Sequence, residues 1–228
     1  MLRFSRLITL TIFIVVMSLA FAWASDEGWL KIGESDGITG YTRSTARSSV
    51  DEIKAVGIVD APIAVVEAVI RDVSVMPQYI FMCREAAMID TPDMKSGGDV
   101  IYFYSVTDLP FPVDDRDAVA RAVLSVDKAT GIIYCHAEGI KTTYKQDKKI
   151  VRMPLSIIDC TLAPRGADKT QVTYQILADP GGELPSPLVR ILTKGYGIKT
   201  IAGLREMVKK DKFRNVRKIV TTTLTTKR

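Results

Sequence analysis

The stretch Asp179-Pro180-Gly181-Gly182-Glu183-Leu184-Pro185-Ser186-Pro187 joins two different periodicities, and it constrains the fold of this 228-residue chain more than any other feature. Upstream, residues 171–178 alternate polar and apolar side chains, the pattern of a strand with one buried face. Downstream, Leu188-Val189-Arg190-Ile191-Leu192 opens a segment with helical spacing that runs to about Lys210. The two glycines and three prolines between them predict a sharp, stiff corner, with Ser186 as helix N-cap and Pro187 as first helical residue. A sheet that ends by sending one long helix back across itself forms a cradle, and a cradle can hold a ligand.

The two ends of the chain read differently from its body. Arg3 and Arg6 precede an uncharged, mostly apolar run from Leu7 to Phe21, and Ala22-Trp23-Ala24 supplies a small-x-small cleavage pattern. The run is shorter than the about 20 residues of a membrane span. Residues 1–24 are therefore predicted to be a signal peptide cleaved after Ala24, which places the mature chain in the periplasm or outside the cell. Residues 194–228 carry eleven Lys or Arg against Glu206 and Asp211, a net of +9, whereas residues 25–193 carry a net of −6. Positive potential is thus concentrated at the C-terminal end. It is either a solvated helix face with a basic tail or a surface attracted to anionic membrane lipids; nucleic acid is not an expected partner outside the cytoplasm. Cys83, Cys135 and Cys160 are an odd number, and the apolar strand context of Cys135 and Cys160 reads as that of buried structural thiols. Neither a CxxC nor a Cys/His cluster points to a metal, and no phosphate-binding loop points to a nucleotide; no cofactor is expected.

Between the ends the pattern gives a helix over Ser25–Glu34, strands over Ile38–Arg47 and Val50–Asp60, and a helix from Pro62 to about Asp72. A second short helix, broken near Pro77, is expected within Val73–Tyr79. Strand-like runs follow at Cys83–Thr91, Asp99–Thr107, Arg116–Val126, Gly131–Glu138, Lys148–Ala163 and Thr170–Ala178, separated by Gly- and Pro-containing turns. Consecutive strands on short turns imply an antiparallel sheet, and segregated helices imply the α+β class.

Four segments in this order resemble the START domain, the lipid-transfer module of the helix-grip (Bet v 1-like) superfamily. They are Trp29-Leu30-Lys31-Ile32 with Asp36-Gly37-Ile38 and Tyr41; Val56-Gly57-Ile58-Val59-Asp60-Ala61-Pro62 with Val69-Ile70-Arg71-Asp72; Leu109-Pro110-Phe111-Pro112 with Arg116-Asp117; and the corner at residues 179–185 with the helix after it. The set covers residues 29 to about 210. One departure lies at Pro77-Gln78-Tyr79, where the family often carries a tryptophan. The resemblance implies a helix-grip fold, a curved antiparallel β-sheet wrapped around a long C-terminal α-helix, over residues 25–213, followed by a basic tail, residues 214–228. It also implies a monomer that binds a lipid or sterol-like ligand without covalent chemistry, with transfer of that ligand as a further step.

Candidate contact residues follow from the faces of the predicted strands. Arg116 begins a strand whose one face is Ala118, Ala120, Ala122 and Leu124, so it can point into an open space as a head-group anchor or close the barrel end as an ion pair with Asp114, Asp115 or Glu85. Tyr102 and Tyr104 share a face, and either line the pocket or pack in the core. His136, the chain's one histidine, shares a strand face with Tyr134; a lone histidine supports neither a metal site nor a hydrolase triad. On the last helix Ile191, Ile198 and Ile201 belong to an apolar stripe that would roof the cavity. The expected contact set is Arg116, Tyr102, Tyr104, His136, Tyr134, Ile191, Ile198 and Ile201, with no catalytic residue. The rival is an enzyme resembling polyketide cyclases or aromatases, with His136, Tyr102, Tyr104 and Arg116 as acid–base groups. A third reading is a partner-binding module with a filled core.

Overall fold

Asp36 and Gly37 both adopt positive φ, 50° and 68°, the two-residue geometry that joins antiparallel strands with the correct twist. They connect β1 (Leu30–Ser35) to β2 (Ile38–Arg43), with Ser35 opposite Ile38. This hairpin overturns the helix expected over Ser25–Glu34, because the Asp-Gly turn gives Leu30–Glu34 a strand partner at once. Trp29 is not on a helix face; the Arg43 guanidinium and the Lys54 ammonium lie 4.4 and 4.3 Å from its ring centroid. The computed structural model describes residues 28–213, 215 and 216; the predicted signal peptide and nearly all of the predicted tail lie outside the described residues.

From β3 (Glu52–Val59) the chain enters α1 (Ile63–Arg71), whose Val65, Val66 and Val69 are buried. A single 3-10 turn, Val73–Val75, leads into the short α2 (Met76–Tyr79). Pro77 sits in the first turn of α2, where its missing N–H has no intrahelical role, so it starts that helix and does not break it. Then come β4 (Cys83–Ile89), β5 (Val100–Thr107), β6 (Arg116–Val126) and β7 (Ile133–Gly139). The single strand expected over Lys148–Ala163 is two: β8 (Val151–Arg152) and β9 (Leu155–Pro164). Pro154, unable to donate to a ladder, separates β8, parallel to β6, from β9, antiparallel to β7 and β10 (Thr170–Asp179).

The curved sheet runs β1-β2-β3-β10-β9-β7-β6-β5-β4, with β8 beside β6. At the corner Gly181 and Gly182 both take φ of +67°, a conformation other residues rarely adopt. The Asp179 carboxylate accepts the Gly181 amide at 2.9 Å. The last helix, α3 (Ser186–Met207), begins one residue earlier than expected: Ser186 is already helical, Pro185 occupies the cap, and no side chain caps it. α3 lies across β2 and β3 and against α2.

Two positions let α3 come this close. A β-carbon at Gly197 would fall 2.7 Å from that of Ala55, and one at Gly203 would fall 2.5 Å from the Tyr79 carbonyl oxygen. Arg205 adds hydrogen bonds to the Ile58 and Asp36 carbonyls at 2.8 and 2.7 Å. The main core lies between the sheet's concave face and the helices, and a separate cluster of Ile89, Tyr104, Val106 and Val119 lies on the other face. There Asp117, 1% exposed, accepts from Arg152 at 2.6 and 3.1 Å.

Candidate functional site

Strand β6 has a small-residue face, and that face looks toward α3. Ala118, Ala120 and Ala122 leave space where larger side chains would meet the helix, and two adjoining cavities fill it. The mouth-side cavity, about 120 Å³, lies between β6, the corner and the first half of α3; Arg116, Ala118, Ala120, Leu184, Leu192 and Tyr196 are in its wall. The inner cavity, about 60 Å³, is bounded by Ala122, Leu124, Tyr174, Thr200, Ile201 and Leu204 among others. Met76, Ile80, Phe103 and Ile158 line both and form the waist between them.

Chemistry changes from mouth to interior. Asp51, Ser105, Thr107, Arg116 and Ser156 place polar groups in the mouth-side wall. The inner wall contains no Lys, Arg, His, Asp or Glu. Burial there pushes the Cys135 thiol up to about 11 and also raises Cys160, Tyr79 and Tyr174, because little solvent remains to stabilise a charge. All three cysteines are free thiols, although Cys135 and Cys160 face each other across β7 and β9. Such a wall can remove an apolar molecule from water, and it has no ionised group to act as acid or base.

Arg116 reaches this space as expected, yet among the described residues no carboxylate holds it. Its guanidinium donates to the carbonyls of Pro180, at 2.8 Å, Gly181, at 3.0 Å, and Asp114. Those bonds brace the corner against the start of β6, which buries Arg116 to 5% exposure. Of the expected partners, Asp115 pairs with Arg84 and Glu85 with Lys145 at 3.0 Å, while Asp114 offers Arg116 its backbone carbonyl and not its carboxylate.

Ile201 lines the inner cavity. The remaining expected contacts lie elsewhere. Tyr102 and Tyr104 occupy the opposite face of β5, where Tyr104 packs edge-on to Tyr144 and burial raises its pKa to about 12. The register of β5 places Phe103 on the cavity side instead. Tyr134 and His136 point outward from β7; Tyr134 is 44% exposed, and His136 Nδ1 lies 2.7 Å from an Asp159 carboxylate oxygen in solvent. Ile191 is 47% exposed on the first half of α3. Ile198 packs over Gly40 of β2. Sequence reasoning missed Phe103, Tyr174 and Tyr196. For Tyr174 the signal was present, since Val172, Tyr174 and Ile176 are the apolar phase of the alternation before the corner. For β5, aromatics on both faces left the phase open.

The geometry has close relatives. The START domain family model matches residues 18–213. An uncharacterized protein of Pseudomonas aeruginosa is 30% identical over 184 residues, 81% of this chain and 88% of that protein. Among solved structures, the STAR-related lipid transfer protein of Xanthomonas axonopodis (fragment 25–204) is similar at 26% identity and a TM-score of 0.70, covering 81% of this chain and all of the other. Human StAR-related lipid transfer protein 5 shares the fold at 16% identity and a TM-score of 0.71, over 90% of this chain and 98% of that one. With an antiparallel sheet gripping a C-terminal helix over an apolar cavity, and a family match across most of its length, the chain belongs to the START domain family.

Proposed function

We propose that this chain binds one apolar molecule, a lipid or sterol-like ligand, beneath α3 and exchanges it with membranes without covalent chemistry. The observation that carries this reading is the alanine face of β6 under α3, which leaves carbon-walled space where a filled core would have side chains. Burial of apolar ligand surface contributes about 25 cal/mol per Å², so roughly 200 Å² gives about 5 kcal/mol of driving force. Cavities of about 120 and about 60 Å³ are smaller than the about 300–1,000 Å³ of sites that enclose drug-sized ligands. Admission therefore requires the wall to move, and the first half of α3 is the part with exposed flanks.

The same end is suited to touch a bilayer. Phe111 is 97% exposed in the loop whose Leu109 lines the mouth, and Val189 and Ile191 are 42% and 47% exposed beside Leu192. Arg190 and Lys194 add positive charge on that half of the helix. The basic C-terminal end is the second reading for membrane contact. Of its cations, Lys209 pairs with Glu206 at 2.6 Å, Lys212 with Asp72, and Lys210 donates to Gln78 at 2.7 Å, which favours the mouth. The signal peptide read in residues 1–24 assigns this exchange to the periplasm or the cell exterior. A non-catalytic role is supported by the positions of His136, Tyr102 and Tyr104, all outside the cavities.

Native mass spectrometry of the mature chain after incubation with lipid vesicles tests the reading. One bound lipid per chain, recovered chemically unchanged, is expected. Absence of bound lipid, or recovery of a converted product, would contradict it.

A further inference from the structure

The inner cavity contains one polar atom that the folded chain leaves unanswered. Tyr174 stands on β10 between Ala55 of β3 and Cys160 of β9. It is 6% exposed, and its hydroxyl, buried in the cavity wall, makes no hydrogen bond of normal length and angle among the described residues, the Tyr196 phenol supplying only a weaker interaction. The ring cannot easily turn away, because it stacks on Tyr196 with centroids 6.4 Å apart and planes inclined by 29°. A buried hydroxyl without a partner destabilises a fold, and a phenylalanine would fill the same space without that penalty. The oxygen is therefore a feature that the fold itself does not use.

What would use it follows from the surroundings. On α3, Thr200 already accepts the Phe81 amide at 3.2 Å, and Tyr196 offers another side-chain hydroxyl near the Tyr174 ring. Apart from Tyr174, Tyr79 and Thr200, the side chains of this wall end in carbon or sulfur. A carboxylate or phosphate would be a buried charge with no cation to pair it. A phenol can donate to a carbonyl or accept from a hydroxyl. We infer that Tyr174 hydrogen-bonds the neutral hydroxyl or carbonyl oxygen of an apolar ligand that enters the inner cavity oxygen end first. This contact rests on the binding function proposed above and sets its selectivity: neutral, mono-oxygenated apolar molecules are taken in, and charged head groups are held back at the mouth.

Decan-1-ol, decanoate and decane share one chain and differ at one end, so they separate these terms when titrated against a bound fluorescent dye such as anilinonaphthalene sulfonate. The full mature chain is expected to bind decan-1-ol more tightly than decanoate. Tyr174→Phe is expected to weaken decan-1-ol about tenfold, leave decane unchanged, and raise the melting temperature of the ligand-free chain. Equal effects of Tyr174→Phe on alcohol and alkane, or decanoate binding as tightly as the alcohol, overturn the hydrogen bond and leave the apolar cavity standing. A lower melting temperature for the variant also overturns it, because the hydroxyl would then be satisfied in the free chain. If none of the three competes, the cavity reading itself falls, and this contact with it.

Discussion

The two halves of α3 are held by different physics. From Gly197 to Met207 the helix is pinned: Gly197 meets Ala55, Gly203 meets the Tyr79 backbone, and Arg205 bonds carbonyls of β3 and of the β1–β2 turn. Thr200, Ile201, Leu204 and Met207 are buried there. From Ser186 to Lys194 only Leu188 is buried, Val189 and Ile191 are exposed, and no side chain caps the first turn. One helix is thus an anchor at one end and a flap at the other. Local opening concentrates where buried contacts are few, so the cavity should open along the first half of α3, beyond the corner that Arg116 braces, while the rest of the fold stays closed.

Breaking the anchor should have the largest effect. Gly203→Val would place side-chain atoms in the Tyr79 backbone, where even a β-carbon lies 2.5 Å from the carbonyl oxygen. Overpacking against backbone costs about 3 kcal/mol, and a denaturant melt would show it as a lower midpoint. Arg205→Ala removes two bonds from a charged donor to backbone carbonyls, and an equilibrium melt should register a loss of about 2 kcal/mol. In the flap, Val189→Ser with Ile191→Ser should leave stability within about 0.5 kcal/mol. The same pair of substitutions should slow lipid transfer between vesicles several-fold, as read by loss of fluorescence energy transfer. Equal destabilisation by anchor and flap substitutions would erase the distinction between the halves.

A separate effect is alkaline. Burial raises the Cys83 and Cys135 thiols from 9.0 to about 11. The native chain then keeps protons that the unfolded chain releases above pH 9, so this contribution is complete below pH 9 and is lost as pH rises toward about 11. Replacing both cysteines by alanine should flatten that part of a stability–pH curve measured by urea titration. An unchanged slope would place the two thiols in contact with solvent.

The architecture was legible because local chemistry and global fold agree over most of the chain. The alternation before the corner, the turns between β4 and β7 and the helical stripe after Pro187 each have a local cause. The failures also have causes. The Asp36-Gly37 turn recruited Leu30–Glu34 into a hairpin, a pairing that outweighed its helical spacing. Pro154 divided a run that periodicity read as continuous. For the site, Arg116 and Ile201 were legible from alternation and helical spacing. Tyr102 and Tyr104 were not: a strand with aromatics on both faces has two equally plausible phases, and only the cover supplied by Tyr144 and Ile150 on the outer face chooses between them. His136 drew attention by being unique, but uniqueness carries no information about direction.

Ala120 is the position from which the central claim is tested most directly, since it is 3% exposed and its side chain forms part of the mouth-side wall. Ala120→Leu would project into the cavity with little change elsewhere, and a fluorescent-lipid titration would follow binding. The expected result is saturable one-to-one binding by the parent chain, weakened about tenfold or more in a variant that still melts cooperatively. Undiminished binding by that folded variant would mean that the ligand lies somewhere other than beneath α3.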